Sequence, residues 1–149
     1  MAILIDTNIL LRLLQPHHPQ CQLAERALAV LRNRNEVLHV AGQNLIELWA
    51  VATRPAELNG LGMTVQAAAG ELATIKRLFS LLPEMAAIYE EWERVVVKYQ
   101  VAGKNAHDAR IVAAMNLHGV NQVLTFNVDD FARFQGILVI HPKAVASNQ

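Results

Sequence analysis

Asp6 and Asp108 stand in stretches that otherwise read as protein interior. In AILIDTNILLRLL, from Ala2 to Leu14, Asp6 directly follows four apolar residues and is itself followed by the polar Thr7 and Asn8. Asp108 lies in an expected helix from Asn105 to Gly119, where it shares a face with Ile111, Val112 and Met115. A carboxylate on a buried stripe is costly unless it meets a cation, a set of hydrogen-bond donors or a mouth open to water. The segment TFNVDDF, Thr125 to Phe131, follows another apolar run and brings Thr125, Asn127, Asp129 and Asp130 to the edge where Asp6 stands. Acids gathered there without a supporting histidine or cysteine set suit a hard cation such as Mg²⁺ or Mn²⁺ better than zinc. Mg²⁺ keeps several waters, one of which can be activated to attack a phosphodiester while the ion neutralises the developing charge.

Each acid also has a local role open to it. Asp6 can cap the helix that follows, Asp108 can close a capping box begun by Asn105, and Asp129 and Asp130 can be first-turn acids. Glu47 is different: Leu45, Leu48, Trp49 and Ala52 share a helical face from which it points away, so periodicity alone leaves it in solvent.

Short apolar strands alternating with helices must position these groups. Ala2 to Ile5 is expected to be a buried strand, Ile9 to Leu14 a helix stopping before Pro16, Gln20 to Arg34 a helix, and Val37 to Val40 a second strand. Gln43 to Thr53 is expected to be helical and closed by Pro55. After the Gly- and Pro-rich RPAELNGLGM, Thr64 caps a long helix to about Phe79. SLLPE is a connector or short strand, and a further helix runs from Pro83 and Glu84 to about Gln100. NQVLTF is a strand, VDDFARF a short helix and ILVIHP a last strand. This alternation predicts an α/β fold whose mostly parallel sheet is covered on both faces, with ligands outside the carboxyl ends of its strands.

At 149 residues the chain fits a single domain, and 53% hydrophobic against 17% charged residues describes a well-filled interior rather than a disordered chain. The lone Cys21 excludes an internal disulfide framework and points to a reducing compartment. No stretch approaches the ~20 uncharged apolar residues of a membrane span, so the expectation is a soluble, cytoplasmic protein. Thirteen basic residues balance thirteen acidic ones, so only a local basic patch could serve nucleic acid.

Four segments taken together, ILIDTNILL, NLIELWAV, GKNAHDARIVAAM and VLTFNVDDFARF, resemble the PIN-domain ribonucleases, specifically the VapC-type toxins of bacterial toxin–antitoxin pairs. The motifs come in family order and span essentially the whole chain, 1–149. The resemblance implies a three-layer α/β/α sandwich and an acidic Mg²⁺ pocket that cleaves single-stranded RNA. It assigns Asp6, Glu47 and Asp108 as catalytic metal-binding acids, turning Glu47 toward the pocket against its periodicity. It places Thr7, Asn8 and Thr125 as hydrogen-bonding residues around them. It further implies homodimers and an antitoxin partner whose tail enters the active-site groove. The chain departs from the family pattern at one place: where a fourth acid usually stands, two residues after the threonine, it has Asn127, so that Asn127 or Asp129 completes the site, with Asp130 the further alternative.

Other signals are weaker. GKNA lacks the first glycine and the hydroxyl residue of a phosphate loop. His107-Asp108 lacks the further histidines of HD-type phosphohydrolases, which leaves His107 as a structural residue or substrate contact. Lys104 and Arg110, and less directly Lys98 and Arg12, are candidate phosphate contacts or ordinary surface charges. Trp49, Tyr89, Trp92 and Tyr99 are spaced for packing rather than base stacking. Two other classes of function stand against the nuclease: a non-catalytic PIN-fold module that binds RNA or protein through a degraded metal site, and a receiver-like signalling domain, which lacks a central-strand acid to phosphorylate.

Overall fold

β1, Ala2–Ile5, is apolar on both faces, as a strand in the middle of a parallel sheet must be. It pairs in parallel with β2 (Val37–Val40) on one side, and on the other with β4 (Gln122–Leu124). β3 (Ser80–Leu81) lies outside β2, and β5 (Leu138–Ile140) outside β4, so the strand order is β3-β2-β1-β4-β5. The register places Leu4 beside His39 of β2 and Val123 of β4. These coordinates come from a computed structural model of the chain that describes residues 1–147.

Alternation along β1 divides the interior in two. Ile3 and Ile5 enter a core with Ile9 and Leu10 of α1 (Thr7–Leu13), Leu28 and Leu31 of α2 (Cys21–Asn33), Leu48 of α3 (Gly42–Thr53) and Ile75 of α4 (Val65–Leu78). Leu4 enters the other, with Val95 of α5 (Ile88–Lys98), Ile111, Val112 and Met115 of α6 (Ala106–His118), and Phe131. Each such fully buried side chain contributes roughly 1.5–3 kcal/mol relative to exposure. The result is the expected three-layer α/β/α arrangement, and among the described residues no helix is long and apolar enough to cross a membrane.

Several boundaries differ from the sequence reading for identifiable reasons. α1 begins at Thr7 rather than Ile9, because Asp6 already caps it. α5 begins only at Ile88, five residues after Pro83. Asn105 is not a side-chain cap: its backbone is helical and a 3-10 turn, Gly103–Asn105, leads into α6. VDDFARF forms only a 3-10 turn, Val128–Asp130, because Phe131 and Phe134 are both drawn into the core. A last helix, α7 (Pro142–Ala146), was not expected; Pro142 is its first residue and the His141 ring accepts the Lys143 N–H at 3.0 Å.

The end of α3 is closed by its own loop. The N–H groups of Leu61, Met63 and Gly62 donate to the carbonyls of Val51, Ala52 and Arg54 at 3.0, 2.9 and 2.8 Å. These bonds take up the acceptors that a helix C-terminus leaves free. Gly60 packs so closely that a Cβ there would collide with the Arg54 carbonyl.

Candidate active site

β1 and β4 lie side by side at the point where the chain order of the sheet reverses, and crevices at the carboxyl ends of such strands are where α/β sheets bind ligands. The Asp6 N–H extends the ladder by donating to the Leu124 carbonyl at 3.0 Å, which sets Asp6 and Thr125 at that edge. The Asp6 carboxylate is then oriented by three donors: Thr7 N–H to Oδ1 at 2.8 Å, and the Thr125 hydroxyl and Asn8 Nδ2 to Oδ2 at 2.8 and 3.3 Å. Asn8 Nδ2 also donates to Thr125 Oγ1 at 2.9 Å, and its Oδ1 accepts the Phe126 N–H at 3.1 Å. The N–H of Asn127 donates to Thr125 Oγ1 at 3.0 Å, so one threonine hydroxyl ties the two strand ends together.

Glu47 arrives from α3. Its Oε2 accepts the Thr7 hydroxyl at 3.0 Å and its Oε1 accepts Gln43 Nε2 at 2.7 Å. The helix buries Asn44, Leu48 and Ala52 on one face and turns Gln43, Glu47, Ala50 and Arg54 toward the cleft on the next. Periodicity of apolar residues registers only the first of these faces. Asn44 is fully buried, accepts the Ala41 N–H at 2.8 Å and donates to Thr7 Oγ1 at 3.1 Å. Sequence reasoning passed over this residue, although an amide-bearing side chain in the first turn of a helix was a usable signal.

Asp108 reaches the same cleft from the first turn of α6, with Ile111, Val112 and Met115 anchoring the helix beneath it. Asp6, Glu47, Asp108, Asn127 and Asp130 all line a cleft of about 310 Å³. The 3-10 turn decides between the neighbouring acids: Asp130 faces the cleft, whereas Asp129 is exposed and does not line it. Of the two acids, Asp130 and not Asp129 is thus the one the fold brings to the other carboxylates. Lys104 and His107 border an adjoining lobe, but Arg110 does not; it is held in an ion pair by Glu84. Arg12 is bound to Gln15 and Gln20 and Lys98 lies over the Tyr99 ring, so neither joins the cleft. Arg54, which the sequence reading did not single out, does line it.

Burial pushes the Asp6 carboxyl up from 3.8 to about 6 against the pull of its hydrogen bonds, with Glu47 and Asp130 adding repulsion. Asp108 is pushed up to about 7, by burial first and then by Asp6, Asp130 and Glu47, with only Arg133 opposing. The site thus carries uncompensated negative charge on hard oxygen donors. Among the described residues no three acidic, histidine or cysteine side chains form a ready-made ligand set. Mg²⁺ itself keeps several waters and is usually bound through one or two carboxylates, so it does not require such a set.

A family model described as PIN domain matches residues 3–137. The chain belongs to the PIN domain family. Among proteins with curated descriptions, none matches the sequence. This PIN domain is similar in structure to VapBC2 from Rickettsia felis bound to a DNA fragment from their promoter, at 14% identity and a TM-score of 0.72 over 95% of this chain and 98% of that one. It is also similar to VapBC-1 from nontypeable Haemophilus influenzae, at 17% identity and a TM-score of 0.64 over 96% and 99%. A third similar structure is Mycobacterium tuberculosis VapC20, described as a sarcin-ricin loop cleaving toxin, at 19% identity and a TM-score of 0.64 over 87% and 93%. At such identities the likeness establishes the PIN fold, and the chemistry must be argued from the cleft.

Proposed function

We propose that this PIN domain is a Mg²⁺-dependent endoribonuclease toxin of the VapC type, cleaving single-stranded RNA and held in check by a cognate antitoxin. The observation that carries the reading is the gathering of Asp6, Glu47, Asp108 and Asp130 around one cleft, with two carboxyls raised by burial and unrelieved repulsion. The description of the similar VapC20 as a sarcin-ricin loop cleaving toxin and the VapBC naming of the other two neighbours support it. A homodimer, which the resemblance of the sequence to VapC-type toxins implies, is part of the same proposal.

Asp6, Glu47 and Asp108 would hold the ion, with Asp130 or the Asn127 carbonyl completing the set; Mn²⁺ would fit the same oxygens. When bound, such an ion supplies charge neutralisation at the phosphate and a more acidic water. Thr7, Asn8 and Thr125 keep the Asp6 and Glu47 carboxylates turned into the cleft, so little reorganisation is needed as charge develops. In the hydrolysis, a water oxygen forms the new bond to phosphorus and gives up a proton to solvent, while the bond from phosphorus to the bridging oxygen breaks and that oxygen leaves with a proton from solvent. The alternative of a degraded, non-catalytic module drew on Asn127 as a missing acid, and Asp130 supplies a carboxylate in that same cleft.

Cleavage of a single-stranded oligoribonucleotide, with Mg²⁺ and with EDTA, tests the proposal. Asp108→Asn is expected to lower the rate at least about 100-fold. Asp130→Asn should impair cleavage where Asp129→Asn leaves it near the wild-type rate. Undiminished cleavage by Asp108→Asn, or cleavage indifferent to EDTA, refutes the assignment.

A further inference from the structure

The cleft continues past the acids in both directions along α3. Gln43, Glu47, Ala50 and Arg54 follow one another on its cleft side, a wall about 16 Å long at ~1.5 Å per residue. The lobe at the N-terminal end of that wall is bordered by Lys104 and His107, the lobe at the C-terminal end by Arg54, and Glu47, Asp108 and Asp130 belong to both. Among the described residues the Arg54 side chain has no hydrogen bond or ion pair, although four carboxylates line the same lobe. Its backbone, by contrast, is fixed. Gly62 donates to its carbonyl at 2.8 Å and Gly60 packs against that carbonyl with no room for a Cβ. A guanidinium carried on a fixed backbone, free of its acidic neighbours, is available to a bound anion, and its planar fork matches phosphate oxygens.

Resting on the nuclease reading, the geometry points to Arg54 and Lys104 as the phosphate-binding residues at the two ends of a single-stranded RNA path that follows α3 across the acids. A polyanion entering a cleft of four carboxylates is repelled at its centre, and cations on either side are what would hold it there. The wall has room for about four to five nucleotides at a stacked rise of ~3.4 Å.

The test measures binding of a fluorescent single-stranded oligoribonucleotide in Mg²⁺ at several salt concentrations, on an Asp108→Asn background that spares the oligonucleotide. Arg54→Gln should weaken binding about tenfold and reduce the slope of log K against log salt by ~0.7, the contribution of one phosphate contact on a single strand. Lys104→Gln should do the same, and Arg54→Lys should fall between. Arg26→Gln, on an exposed position of α2 outside the cleft, should change neither quantity. In the otherwise wild-type chain Arg54→Gln should raise KM while kcat stays within about twofold. Arg54→Gln binding RNA with undiminished affinity and salt slope would overturn the inference even if cleavage is robust. A wild-type chain that binds RNA without cleaving it, with binding still weakened by Arg54→Gln, would sink the nuclease reading and leave this one standing.

Discussion

Replacing Asp108 by asparagine should make the metal-free protein more stable, and increasingly so as pH rises. The Asp108 carboxyl ionises near its ordinary 3.8 in the unfolded chain and at about 7 in the folded one. Between those values the folded state retains a proton that the unfolded state has lost, so stability falls as pH climbs through this window and the loss is complete above about pH 7. Taken at face value that displacement corresponds to at most ~4 kcal/mol. Asp108 is only half-buried, at a cleft open to water, so solvent screening reduces the figure to about 1–2 kcal/mol. Against this the variant loses a first-turn carboxylate that favours the N-terminus of α6, worth ~0.3–1 kcal/mol. The net gain at about pH 8 is therefore ~1 kcal/mol, or a rise of roughly 2–4 °C in Tm for a chain of this size.

Urea or thermal unfolding of both proteins in EDTA, at intervals from about pH 4 to pH 8, reads this directly. The variant's advantage should be smallest at the acid end, where the unfolded wild type still holds part of its proton, and should widen steadily toward neutrality. An advantage that is flat across the series, or a variant less stable than wild type at about pH 8, would refute the view that repulsion among the acids strains the fold.

Other perturbations probe the rest of the cleft. Saturating Mg²⁺ should relieve the strain and stabilise the wild type by ~2.7 kcal/mol at a hundredfold excess over its dissociation constant, raising its Tm, and should do so much less for Asp108→Asn; equal shifts would place the ion elsewhere. Thr125→Val removes the hydroxyl that binds Asp6, Asn8 and the Asn127 N–H, and should cost about 1–3 kcal/mol while moving the Asp6 carboxyl further above 6, visible by NMR titration. Asn44→Ala strands the Ala41 N–H in the interior and should destabilise by a similar ~1–3 kcal/mol in chemical denaturation, with the Thr7 hydroxyl that donates to Glu47 losing its own donor, Asn44 Nδ2.

What could be read from the sequence was whatever a single period reveals. The apolar runs give the strands, Asp6 ends the first of them, and Asp108 betrays itself by sharing a stripe with Ile111, Val112 and Met115. Glu47 escapes because α3 is covered on two sides: one apolar, visible as Leu48 and Ala52, and one polar, facing the cleft with Gln43 and Arg54. A polar face turned to a cleft and one turned to water have the same composition. Only the family resemblance pointed Glu47 inward. Choosing Asp130 over Asp129 depends on whether VDDFARF winds as a helix or as a short 3-10 turn, and the burial of Phe131 and Phe134 settles that from a distance. Arg110 is taken by Glu84, a partner 26 positions away that no local pattern announces.

Asp6 shows why the structural and chemical roles of a site residue need not compete. Capping α1 uses Oδ1, which accepts the Thr7 N–H, and joining β1 to β4 uses Oδ2, which accepts from Thr125 and Asn8. Oδ2 already has two partners and Oδ1 only one, and the two strand ends hold the group at the cleft, so the bonds that build the fold leave the free lone pair of Oδ1 for a further partner. Two of these donors, the Thr125 hydroxyl and the Thr7 N–H, oppose the desolvation that raises the carboxyl to about 6, keeping it anionic at neutral pH. Moving the acid one residue along β1 would turn it into one of the two cores, since neighbouring side chains point to opposite faces. The end of the strand is the position at which one carboxylate can terminate β1, start α1 and remain charged and directed into the cleft.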